Sequence, residues 1–499
     1  MPQSIKNLIV VLFIATVVFR LIKPIMLLYS PEKDFLRRRT VWYVLTISAF
    51  LMPSPWLFGA IAVPLLAIVG RKDSNPAGLY LFVLHVIPGV IITVPVVGSL
   101  TPQFMLTISI LVPAAYRLLG SKTDPRIRGL HSMDWFLLGY IALSAALYIH
   151  QLAPDGTFFP STPVDFVRRL VFFFLEIFVP YFVISRSNCN RQMIVDSVAA
   201  FWLSCVLMAA IAIFESLRSW LLYEVIPKNW GAVGGAYLMR GNSLRAMASS
   251  GHSLTLGYLL AVAFGCWLYL QMAVKSKFSR LALGTLLWLG EFAAYSRGPW
   301  MCAILIYFLF AAQKPGAASA ITKALFVGAL AAIVVALSPL GQKIASVIPF
   351  FGGHIDSGNI DYRQRLWDRG WEYILQSPFF GDQYVLTKMR DLRQGEGIVD
   401  FINGYIAELL STGFVGLSLF LSVILIGIYF AWSSSRNIRH VDAEFSLLGA
   451  SLVSCLLGSL FLWAFGGPDL YVVWALVALA SAYSFVGQQK DFGLARGAT

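Results

Sequence analysis

Nine side chains stand out for the chemistry they could do, and six of them are arginines. Arg245, Arg297 and Arg363 are the candidates for catalysis. Arg169, Arg240, His252, Arg365, Trp367 and Asn403 are the candidates for binding a substrate. Arginine presents a planar fork of donors that matches phosphate oxygens in pairs. Several arginines near one membrane face therefore suit a lipid diphosphate headgroup. Arg297 lies in Ser296-Arg297-Gly298-Pro299, a break between two apolar runs. There Gly298 permits a tight turn and Pro299 cannot donate a backbone hydrogen bond. Arg363 and Trp367 are four residues apart on an amphipathic segment starting near Asp361, so they share a helix face. A guanidinium beside an indole can hold a phosphate while the ring packs on a sugar. Taken singly, each arginine also fits contact with anionic lipid, or a salt bridge to Asp361, Asp368 or, for Arg297, Glu291. His252 alone fits a hydrogen-bonding residue at a helix end.

Metal chemistry has no visible support. The presumed external loops carry no Asp-x-Asp pair and no His/Asp ligand cluster, and the five cysteines form no CxxC pair. The expectation is no metal and no cofactor. Cys205, Cys266, Cys302 and Cys455 fall in apolar runs and read as buried thiols.

The elements that must position these residues are membrane helices. Of 499 residues, 58% are hydrophobic and 13% charged, with a mean hydropathy of +0.73, which excludes an ordinary soluble domain. A spanning helix needs about 20 apolar residues. Candidate spans are 7–22, 77–95, 104–119, 135–152, 170–187, 194–216, 253–272, 324–338, 405–432, 445–465 and 470–487. The run 41–70 is broken by Pro53-Ser54-Pro55, as two short spans or a re-entrant pair, and the run 281–312 is broken at 296–299. The expected fold is all-α and polytopic, with about 13 to 15 transmembrane helices. Four stretches follow: 1–76, N-terminal membrane segments of unsettled topology; 77–338, membrane helices with an external loop 217–252; 339–404, one large periplasmic loop; and 405–499, C-terminal helices and a cytoplasmic tail.

Orientation follows from Lys and Arg in short loops. Lys33 with Arg37, Arg38 and Arg39, then Arg71 with Lys72, Lys122 with Arg126 and Arg128, Arg186 with Arg191, Lys275 with Lys277 and Arg280, Lys314 with Lys323, and Arg436 with Arg439 mark one side as cytoplasmic. Segments 153–169, 217–252, 296–299 and 339–404 then face the periplasm of a bacterial-type inner membrane. The net charge of +13 is thereby topological and gives no reason to expect nucleic acid. Arginine on the outer side opposes that rule, and an anionic ligand supplies the reason for it.

Four stretches resemble the O-antigen ligase and O-antigen polymerase superfamily of bacterial surface-polysaccharide enzymes. They are Arg245-Ala-Met-Ala-Ser-Ser-Gly251-His252 running to Gly257; Ser296-Arg297-Gly298; Arg363 with Leu366-Trp367 and then Pro378-Phe-Phe-Gly381; and Asn403-Gly-Tyr405 followed by Gly413-Phe-Val-Gly416. Together they span about residues 200–430. The resemblance implies an all-helical fold of the C-type glycosyltransferase kind with a periplasmic active site. It also implies metal-independent transfer from an undecaprenyl-diphosphate-linked glycan to a glycan acceptor. By motif, the family's arginines fall on Arg245, Arg297 and Arg363. One departure concerns the base: family ligases commonly carry His-Asn where this chain has Ile402-Asn403. His252, His354, Asp361 and Asp400 lie on the same side without singling out a replacement. The departure puts a polymerase of lipid-linked repeat units, in surface polysaccharide or exopolysaccharide assembly, ahead of a ligase acting on lipid A core. A lipid-linked oligosaccharide flippase or transporter is the alternative from another class, although no repeat of the 200–430 motifs occurs in the first half. Membrane lipids and a chain-length regulator are the further expected partners.

Overall fold

The computed structural model describes residues 2–89, 92–94, 98–120, 131–150, 163–231, 239–240, 243–314, 357–393 and 403–497, with 316, 317, 319, 321, 322 and 399. The expected span 324–338, loop residues 339–356 with His354, and Asp400, Ile402, Lys122, Arg126, Arg128 and Lys323 lie outside the described residues.

The protein is an all-α, multi-pass membrane protein. Among the described residues, eight helices are long and apolar enough to cross a membrane. They are Gln3–Met26, Pro55–Lys72, Pro102–Gly120, Arg191–Arg218, Ser253–Ala273, Gly404–Ile438, Ala443–Trp463 and Leu470–Gln489. Ser132–Leu147 and Arg297–Ala312 are shorter apolar helices. Four of the long helices form the centre: Arg191–Arg218 and Ser253–Ala273 are 83% buried over their apolar windows, and Ala443–Trp463 and Leu470–Gln489 78%. There the Trp202 and Trp267 rings stack 4.8 Å apart, Tyr258 shares a 2.8 Å hydrogen bond with Ser459, and the Ser451 hydroxyl donates to the Gly265 carbonyl. Small residues and short interhelical hydrogen bonds are how helices associate where lipid removes the hydrophobic drive. Helices at the rim turn Phe13, Leu21, Ile68 and Leu281 outward, an apolar surface that only lipid tolerates.

The proline breaks behave as helix starts. Ser54 caps Pro55–Lys72 by accepting from Trp56 N, with Pro55 in the first turn where its missing N–H costs nothing. The preceding helix is Glu32–Leu51. Two expectations are corrected. The run 77–95 is not one span: a helix covers only Pro76–Val83, and Ile92–Val94 pairs with Gly98–Leu100 as an antiparallel ladder. Pro88 and Pro95 remove donors that a helix needs, and the β-branched Ile92-Thr93-Val94 favours a strand. The second small ladder joins Met239–Arg240 to Ser243–Leu244.

Lys33, Arg37, Arg38 and Arg39 are likewise not a loop but the first turns of Glu32–Leu51. Arg38 is buried, and its guanidinium donates to both Asp73 oxygens at 3.0 and 2.8 Å and to both Asp196 oxygens at 2.8 Å. Asn75 Nδ2 also donates to Asp196. A second buried pair joins Arg186 to Asp134. Both arginines thus hold helices together as well as adding to the loop charge.

Hydrogen bonds between helix ends sort those ends into two sets. Asn7 donates to the Leu222 carbonyl, Trp230 to Met52, Ser249 to His85, and Ala246 N to Ala293. These residues mark the end that carries Arg297. Tyr29 donates to Leu270 O, Asn75 to Met193 O, and Arg191 pairs with Asp442 at 3.0 Å. These mark the Arg38 end. Residues of 217–252 and the turn before Arg297 thus lie at one end of the bundle.

Candidate functional site

Arg245 and Arg297 meet at the Arg297 end. The Ala293–Ser296 turn follows the helix Lys277–Ala293, and Tyr295 takes a left-handed φ of 46°. The reversal thus rests on Tyr295, not on Gly298. Gly298 lies inside the next helix, where a Cβ would come within 3.0 Å of Leu462 Cδ1. Arg297 is the first residue of Arg297–Ala312 and is half-buried. Its Nε is buried without a hydrogen-bond partner among the described residues. The expected ion pair with Glu291 does not form, since neither Glu291 oxygen has a hydrogen-bond partner there either. Arg245 approaches the same turn, with Nε 3.4 Å from Ala294 O and the neighbouring Ala246 N donating to Ala293 O.

The start of Ser253–Leu270 lies alongside. A Cβ on Gly257 would come within 2.8 Å of Pro299, and one on Gly466 within 2.7 Å of Leu254. Two helix N-termini, Ser253 and Arg297, thus open beside two arginines. Each N-terminus is the positive end of a helix dipole, so the place attracts an anion.

His252 caps Ser253–Leu270, its Nδ1 accepting from Leu254 N at 3.2 Å. That is the helix-end role. Asn403 has the same kind of role, with Oδ1 accepting from Tyr405 N and Ile406 N at the head of Gly404–Ile438. Arg240 pairs with Ser243 in the small ladder. Arg169 lies on Pro163–Phe173, which packs on Ser132–His150, another part of the rim.

Glu215 was missed by sequence reasoning. It is fully buried near the end of Arg191–Arg218 and accepts three backbone N–H bonds, from Leu222 at 2.9 Å, Met247 at 3.0 Å and Ala248 at 2.8 Å. The carboxylate therefore fastens the segment that carries Arg245. Nothing in an apolar run announces this, because two of the donors arrive from more than thirty positions away. Glu215→Gln replaces one acceptor oxygen by a donor that faces N–H groups. We expect a loss of roughly 2 kcal/mol in unfolding free energy, the scale of a hydrogen bond to a charged group, and new protease cleavage within 243–252. Unchanged melting and cleavage would remove Glu215 as the fastener.

The helix Ser357–Gln376 buries Tyr362, Leu366 and Ile374 against Ile406 and Leu410. Its other face exposes Arg363, Arg365 and Trp367. Trp367 stacks with Trp371 at 6.3 Å and 2°. The two resemblance stretches beyond it interlock. Gly413 has φ 65° and ψ −170° inside Gly404–Ile438, which breaks the helix. Phe414 N then donates to Pro378 O at 2.8 Å and Val415 N to Phe379 O at 3.1 Å, while Asp382 N donates to Leu410 O. A Cβ on Gly413 would fall 2.3 Å from the Phe379 carbonyl carbon. The bend is large: Gly404 lies against the Trp463 indole and Phe420 packs on the same indole at 4.3 Å. A straight helix would hold Gly404 and Phe420 roughly 24 Å apart. Pro378-Phe-Phe-Gly381 and Gly413-Phe-Val-Gly416 thus tie the Arg363 helix to the bundle. Between them and the centre, Glu408 accepts from Tyr140 OH at 3.0 Å and Thr412 Oγ1 at 2.8 Å. Among the described residues no group of three His, Cys, Asp or Glu side chains is placed to hold a metal ion.

Residues 281–421 match the family model for O-antigen ligase. The match includes Arg297, Arg363, Asn403 and the Gly413 break, and it supports the resemblance to the O-antigen ligase and polymerase superfamily. No curated protein matches the chain.

Proposed function

We propose that this multi-pass membrane protein is a glycosyltransferase of polysaccharide assembly that polymerises lipid-linked repeat units. The observation that carries the reading is the meeting of Arg245 and Arg297 with two helix N-termini, inside and beside the stretch similar to O-antigen ligase. The donor is an undecaprenyl-diphosphate-linked glycan, taken at the periplasmic face of the inner membrane. An acceptor hydroxyl forms a bond to the anomeric carbon while that carbon's bond to the diphosphate breaks. The departing diphosphate carries the electron pair and gains negative charge as it leaves. Guanidinium forks and helix N-termini fixed around it stabilise that charge without reorganising. Arg363, on the helix tied down at Gly413, faces outward as a third cation for the donor. The family match, whose model describes a ligase, favours transfer to lipid A core as the second reading.

The test uses the purified full chain in lipid nanodiscs with a lipid-linked repeat unit. A ladder of longer glycans supports polymerisation, and a product joined only to lipid A core supports the ligase. Transport without a new bond overturns glycosyl transfer. Because the arginines take the role of a cation at the diphosphate, turnover in excess EDTA should equal the untreated rate. Loss on chelation with recovery on adding Mg²⁺ or Mn²⁺ would overturn the arginine mechanism.

A further inference from the structure

His85 and Asp469, 384 positions apart, share a hydrogen bond of 3.1 Å between Nε2 and Oδ2. His85 lies in the turn just past Pro76–Val83, and Asp469 is the cap of the last helix, with Oδ1 accepting from Val472 N. Both stand at the Arg297 end. The Ser249 hydroxyl, four residues from Arg245, donates to His85 O. Gly466, just before Asp469, lies against Leu254, and Gly298, next to Arg297, lies against Phe465. The segments that carry Arg245, Arg297, His85 and Asp469 are thus in direct contact. The His85 and Asp469 side chains are 6% and 13% exposed.

We propose that His85, oriented by Asp469, is the base for the acceptor hydroxyl. The proposal rests on the glycosyl-transfer reading above. Transfer to a hydroxyl requires a group to receive its proton, and the position that holds histidine in similar ligases is Ile402 here. With Nε2–H donated to Asp469, Nδ1 is the nitrogen left to accept. The acceptor oxygen bonds to the anomeric carbon, its proton passes to Nδ1, and the bond to the diphosphate breaks with its electron pair on the leaving oxygen. The proton then leaves to solvent. The carboxylate of Asp469 fixes the tautomer and steadies the imidazolium, as a positioning residue. Tyr80, Tyr258 and Tyr471 lie within electrostatic reach of Asp469, and Glu176 within that of Tyr80 and Tyr471.

The experiment measures transfer by the full chain in nanodiscs across pH 5 to 9, in wild type, His85→Gln and Asp469→Asn. Imidazole ordinarily changes charge between about pH 5 and 8. The wild type should show an acidic limb in kcat. His85→Gln should lose roughly a hundredfold or more in kcat, lack that limb, and keep the donor KM within about threefold. Asp469→Asn should lower kcat by roughly tenfold or more with the donor KM kept within about threefold, and it decides the matter if the glutamine variant does not fold. A kcat within about threefold of wild type with the limb retained in His85→Gln, or a kcat within about threefold of wild type in Asp469→Asn, overturns the base and leaves glycosyl transfer standing. A wild type that forms no glycosidic bond overturns the reading beneath it.

Discussion

Arg297→Lys is expected to transfer glycan at least roughly tenfold more slowly than wild type, about 1.4 kcal/mol of transition-state stabilisation, while melting at the wild-type temperature in detergent. The position explains why charge alone does not suffice. Arg297 opens a helix at the turn that Arg245 also reaches, and its buried Nε is without a partner among the described residues. A guanidinium there can offer two parallel donors to a diphosphate. An ammonium is a point charge on a flexible stem and cannot reproduce the fork. An ion pair with Glu291, which lysine could have preserved, is absent. Initial rates with the lipid-linked donor and a matched melting curve check this result. Near-normal transfer by the lysine variant would remove Arg297 from the site.

Arg38→Met should cost far more in folding than in chemistry. It leaves Asp73 and Asp196 buried at the Arg38 end without the cation that both face. Removing one partner of a buried ion pair typically costs about 3–5 kcal/mol, because the remaining charge has nowhere to go. Here two carboxylates are stranded together. The variant should unfold at markedly lower temperature or denaturant, and adding Asp73→Asn and Asp196→Asn should restore part of the loss. Wild-type unfolding by the single variant would show that the cluster is structurally dispensable.

How far the sequence could be read follows from the range of the forces involved. Helices and their breaks were legible because proline, serine caps and apolar run length act locally: Pro53-Ser54-Pro55 divides two helices, and the chain turns just before Arg297. The run 77–95 failed because apolar content alone does not distinguish a strand from a helix, and its two prolines and β-branched residues decided the matter. Lys33 to Arg39 looked like a loop because charge is normally excluded from membrane helices. The acids that let Arg38 enter the bundle lie at positions 73 and 196. The site shows the same division. Arg245 and Arg297 could be picked out by residue type and side, and both lie at the turn that follows Ala293. Glu215, which fastens the Arg245 segment, and the His85–Asp469 pair could not, because no periodicity connects positions so distant. His252 and Asn403 were visible as unusual residues at helix starts, and the structure gives both of them capping bonds.

The break at Gly413 also governs how the chain can be assembled. A helix interrupted in hydrocarbon leaves N–H groups that lipid cannot satisfy, and those of Phe414 and Val415 are met by the carbonyls of Pro378 and Phe379. Their acceptors leave the ribosome before the helix that needs them. The segment ending at Gly381 must therefore reach the same face as the Gly413 break before Gly404–Ile438 can settle in its bent form. The bent helix is thereby completed by a segment made before it, which serves as its template. A chain released before residue 438 would leave that segment without its dock.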